Sequence, residues 1–131
     1  MKEDQIMFVG DIITESQIDP TVLDEFSGFV ISRRTANVAN FTPSLWHIAR
    51  YRLPHEAVQR LTPKLKDNIQ DNAWYVHFYS ETTDELYVIL SGKVFKLPKH
   101  RDSTWDEMIT YGESVGVGRR WTERIPVDFE L

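Results

Sequence analysis

The chain contains no cysteine. Disulfides, thiolate chemistry and cysteine-ligated zinc are excluded, and a reducing compartment is the simpler home. Long apolar runs are also missing. Leu86-Tyr87-Val88-Ile89-Leu90 is among the longest, far short of the roughly 20 residues of a membrane span. Acidic residues break up the start, MKEDQIMFVGD, which has no signal-peptide layout. A cytoplasmic protein without a membrane association is the expectation. Positive charge is scarce too. Fifteen Lys and Arg against 20 Asp and Glu leave a net charge of −5. That argues against a general affinity for nucleic acid or anionic membrane, though a local basic patch remains compatible with it. His47, His55, His77 and His100 show none of the short metal-ligand spacings, so neither a metal site nor a cofactor is expected.

What is present is globular. A length of 131 residues with 41% hydrophobic and 12% aromatic content suits one domain, 1–131, with a proper core. Residues 5–13, QIMFVGDII, are almost continuously apolar, as in a strand covered on both faces. Asp19-Pro20 marks a helix N-cap and first turn, predicting a short helix from Pro20 to Phe26 that Gly28 ends. Phe29-Val30-Ile31 reads as a short strand, and the polar stretch Ser32 to Asn40, with Arg33-Arg34, as a loop.

Three proline-led starts follow, at Pro43, Pro54 and Pro63. They predict two or three short helices between Pro43 and Gln70, because proline is tolerated in a first turn and damaging later. Leu45, Ile48 and Ala49, then Ala57, Val58 and Leu61, supply helical spacing. From Ala73 to Tyr79 the chain alternates, with Trp74, Val76 and Phe78 on one face and Tyr75, His77 and Tyr79 on the other. Ser80 to Asp84 is a polar turn, Leu86 to Leu90 a buried strand, and Ser91-Gly92 a potential tight turn before Val94 to Leu97. Thr104-x-x-Glu107 and Ser103-x-x-Asp106 resemble capping boxes for a helix over 104–114. Its stripe is Trp105, Met108, Ile109 and Gly112. The last segment alternates over 124–130 around Pro126, which implies an edge strand.

The order is βαββαβ. This predicts an α+β protein with a mainly antiparallel sheet and helices packed on one face. The arrangement would be ferredoxin-like, with an insertion at 14–42. If Ser91-Gly92 makes a true hairpin, the sheet gains a strand and becomes a meander.

The chemistry-bearing residues point to a surface more than to a reaction. With helices on one face, Tyr75, His77 and Tyr79, extended by Tyr87, would form an open face with apolar bodies and polar tips. Such a face suits a homo-oligomer interface or a small-molecule ligand. His77 beside Glu85 or Tyr87 has the titration range of a general base, but no nucleophile motif accompanies it, so no catalytic residue is assigned. Arg119 and Arg120, after a glycine-rich stretch, are candidate anion-binding residues, and with Arg33 and Arg34 would serve a nucleic-acid reading. The expected function is a small soluble binding or interaction protein that assembles through this face. The alternative is a small enzyme or small-molecule binder with a pocket around His77.

Overall fold

The apolar run near the start of the chain needs cover on both sides and receives it. In a computed structural model, which describes residues 6–40, 43–70 and 74–125, this run forms strand β1, Met7–Ile13. It lies inside a six-stranded sheet. The other strands are β2 (Val30–Asn37), β3 (Leu45–Pro54), β4 (Val76–Ser80), β5 (Leu86–Leu90) and β6 (Lys93–Leu97). Their order is β2-β3-β1-β4-β5-β6, and each neighbouring pair is antiparallel. Helix α1 is His55–Lys66, α2 is Thr104–Ser114, and α3 is a single turn, Arg119–Thr122. A 3-10 helix covers Pro20–Phe29, and Asp19 caps it by accepting the Thr21 N–H at 3.1 Å.

The α+β class and antiparallel sheet hold, but several expectations change, three of them in the secondary structure. Leu45 to Pro54 is a strand, not a helix. Its odd positions Ala49, Tyr51 and Leu53 are buried with α1, while Ile48 and Arg50 face the other way and Trp46, near the start of the strand, packs at the margin of the same core. Ser32 to Asn37 belongs to β2, an edge strand whose charged, exposed residues look like a loop in sequence. Pro63 lies inside α1 and does not start a helix. Ala57, Val58, Leu61 and Leu65 bury one face continuously past it, which offsets the roughly 3 kcal/mol of an interior proline.

The neighbour relations are consequently not those of the ferredoxin-like order. In that order the second strand, read at 73–80, would be an edge; Val76–Ser80 instead lies between β1 and β5, and Ser91-Gly92 closes a true β5–β6 hairpin. Gly92 takes φ +86°, which a side chain would strain. The expected strand at 124–130 falls almost wholly outside the described residues.

Helices lie on both faces of the sheet, not one. On the first face α1 packs on Phe8, Ile12, Leu53, Phe78, Tyr87 and Ile89, and the 3-10 helix adds Leu23, Phe26 and Phe29. On the second face Trp105, Met108 and Ile109 of α2 cover Val9, Tyr79, Leu86, Val88 and Leu90. The start of α2 is held by Asp102, which accepts the Thr104 N–H at 2.9 Å and the Thr104 hydroxyl. Ser103 makes no capping bond. No helix among the described residues is long and apolar enough to cross a membrane.

Candidate functional site

One glycine sets how closely the site's two main strands approach. A Cβ on Gly10 of β1 would run into the His77 carbonyl oxygen and the Phe78 ring of β4. Its absence lets β4 lie against β1 with Val9 opposite Tyr79. On the second face, the residues beyond this seam are Asp11 and Ile13 of β1, Trp46, Ile48 and Arg50 of β3, and Arg34 and Ala36 of β2. The register pairs them as Asp11 with Arg50, Ile13 with Ile48, Ile48 with Arg34 and Trp46 with Ala36.

These strands bound a pocket of about 370 Å³. Ile13, Ile48, Ala36 and Val38 form an aliphatic wall. Trp46, Trp74, Tyr75 and Trp121 supply the aromatic surface, and Asp11, Arg34 and His77 the polar groups. Trp46 and Trp74 pack with ring centroids 5.1 Å apart, and Tyr75 stacks on His77 at 5.9 Å. Trp46 Nε1 donates to the Pro43 carbonyl at 2.9 Å, which orients its ring. Three of the four tryptophans therefore meet here. The fourth, Trp105, is buried with its Nε1 donating to the Pro98 carbonyl at 2.9 Å.

The charged rim is organised around Asp11. Arg50 Nε and Nη2 donate to its two oxygens at 2.9 and 3.3 Å, and Arg34 Nη2 adds a third contact at 3.3 Å. The Arg34 side chain is 58% exposed, whereas that of Arg50 is 16% exposed. Arg120 stacks over the Trp121 ring at 5.0 Å. Burial pushes the Tyr75 hydroxyl above its ordinary value, so at neutral pH it is a hydrogen-bonding group and not a phenolate base.

The sequence-derived face divides. Tyr75 and His77 both line the pocket. Tyr79 is instead covered by α2. Tyr87 is on the opposite face of the sheet, paired across from Phe78, with its hydroxyl 3.0 Å from His55 Nε2. Burial, and then the Glu85 charge, raise its pKa. Tyr87 therefore cannot share a site with His77. Arg119 is engaged by Glu113 and Glu123, both at 3.1 Å. Sequence reasoning missed Asp11, Trp46 and Trp121 as site residues, named Arg34 only in a nucleic-acid reading, and set Trp74 on the face opposite Tyr75, whereas both line the pocket. The available signal was the alternation Trp46, Ile48, Arg50 against His47, Ala49, Tyr51, which competes with a helical reading of the same letters. Among the described residues no group of three His, Cys, Asp or Glu is placed to hold a metal ion.

Comparison with protein-family models, with curated proteins and with solved structures finds no match.

Proposed function

We propose that this protein binds a small organic molecule carrying a flat or aliphatic ring in the pocket between β2-β3-β1 and Trp121. The observation that carries this reading is the gathering of Trp46, Trp74, Tyr75 and Trp121 around about 370 Å³ of concave space, with Arg34, Asp11 and His77 as the few polar groups. Binding sites of small molecules have this size and this balance of apolar wall and sparse polar contacts. The pocket lining offers no serine, threonine or cysteine beside His77 among the described residues. That disfavours catalysis through a serine, threonine or cysteine nucleophile activated by His77.

The four tryptophans provide an internal test. In a fragment screen followed by the indole N–H signals in 15N-correlated spectra, a pocket ligand shifts the signals of Trp46, Trp74 and Trp121 and leaves Trp105 in place. Ligands that move Trp105 equally, or no shifts across the screen, would overturn the reading.

Assembly of copies over the same uncovered strands is the competing reading, favoured by Trp121, which is 41% exposed at the rim. It requires a dimer in sedimentation velocity that Trp121→Asp converts to monomer. His77 is 7% exposed, so a substitution there tests folding more than assembly.

A further inference from the structure

We infer that the pocket selects an anionic ligand, a ring-bearing carboxylate whose acid group is received by Arg34. This rests on the small-molecule reading above and goes on to the charge of the ligand. An aromatic surface alone leaves that charge open, because clustered tryptophan and tyrosine faces also recognise quaternary ammonium groups. The rim decides. Asp11 is the one carboxylate that lines the pocket among the described residues. It already accepts three contacts, two from Arg50 and one from Arg34. Within its own contacts that charge is more than matched, since Arg50 and Arg34 both bond it, and Arg120 stacks on Trp121 at the rim.

A cation entering here would meet the guanidinium groups of Arg34 and Arg50 and a carboxylate whose oxygens already accept from both. An anion would meet the fork of Arg34, which commits Nη2 to Asp11 at a long 3.3 Å. Guanidinium groups present five N–H donors, in a geometry suited to carboxylates. Arg50, bidentate to Asp11 with little exposure, is the fixed partner, and Arg34 on the edge strand is the adaptable one. The ring then lies between Trp46 and Trp121, with the acid group toward β2.

The test uses three probes that share one ring, on the full chain: 2-naphthoate, 2-naphthamide and 2-naphthylmethylammonium, titrated against the indole N–H signals. The expected result is naphthoate tightest, by about tenfold over the amide, as one charge-assisted hydrogen bond provides. Arg34→Gln should abolish that preference by weakening naphthoate binding more than amide binding. Added salt should narrow it, since Arg34 is exposed. Equal affinity of acid and amide, a preference for the ammonium probe, or a preference that survives Arg34→Gln would each overturn the charge assignment and leave the pocket standing. If none of the three probes moves Trp46, Trp74 or Trp121, the pocket reading falls and this inference with it. Arg34 is on an exposed edge strand, and an unchanged indole spectrum of the free variant verifies its fold.

Discussion

On the sheet face shared by Val9, Asp11, His77 and Tyr79, α2 covers β5, β6 and the ends of β1 and β4 at Val9 and Tyr79, and leaves β2, β3 and the Asp11–Ile13 end of β1 uncovered. The covered half is apolar. Val88, Leu90, Met108 and Ile109 are fully buried there. The uncovered half is held by ion pairs, Asp11 with Arg50 and Arg34, and Arg52 with Glu81 at 2.8 Å. Alternation within a strand assigns a side chain to a face; it does not say whether that face is covered. Six strands spaced about 4.8 Å apart span about 24 Å, at least twice the 10–12 Å diameter of one helix. The opposite face carries both α1 and the 3-10 helix with Phe26. The second face has α2 and the short α3, and the remainder is the pocket.

The sharpest way to break this comparison is to remove cover from the first half. Met108→Ala, in a fully buried position, is expected to cost about 2–5 kcal/mol in denaturant unfolding. A cost within experimental error would mean that α2 does not hold this face. Next is the seam. Gly10→Ala is expected to lose up to about 3 kcal/mol, because its methyl group has to push the β4 backbone carbonyl of His77 away. It should also displace the Tyr75 and His77 backbone signals before those of α1. Retention of wild-type stability would show that β1 and β4 can separate freely.

In the uncovered half stability and function should come apart. Trp121→Ala, at an exposed position, is expected to change stability by no more than about 0.5 kcal/mol. It should weaken binding of any pocket ligand. A large loss of stability would mark Trp121 as core.

The smallest effect concerns β3, which the uncovered half contributes. Glu15 accepts the His47 backbone N–H at 2.7 Å and contacts the His47 ring Nδ1 at 2.6 Å. Burial raises the carboxyl pKa, but these bonds outweigh it and hold the group below its ordinary 4.5. A depressed carboxylate stabilises the fold above that value and loses the contribution as pH falls through the folded pKa. Glu15→Gln should therefore lose less stability than wild type on acidification below pH 4.5. Parallel acid limbs would remove Glu15 from the account.

Parts of the fold were legible wherever one local signal had no competitor. The continuous apolar run gave β1, Asp19-Pro20 gave the cap of the 3-10 helix, and the Trp105, Met108, Ile109 stripe gave α2 over Thr104–Ser114. Misreadings arose where two signals competed. Residues 45–54 satisfy both a 3.6 and a 2.0 period, and the pairing of β3 with β1 and β2 settles which one is used. Of the proposed face, Tyr75 and His77 reach the pocket. Tyr87 does not, because alternation cannot be carried across the turn from β4 to β5: the register sets it opposite Phe78.

By itself, then, the sequence determined the secondary structure with a single period, the lack of thiol chemistry and the faces of β4. Those are consequences of composition and of side-chain direction along one strand. Only the tertiary structure decided that Trp46, Trp74 and Trp121, far apart along the chain, share one wall, and that Arg34 and Arg50 meet on Asp11. Such proximity depends on strand register and on which strands a helix is wide enough to cover, and neither is encoded in any local stretch of residues.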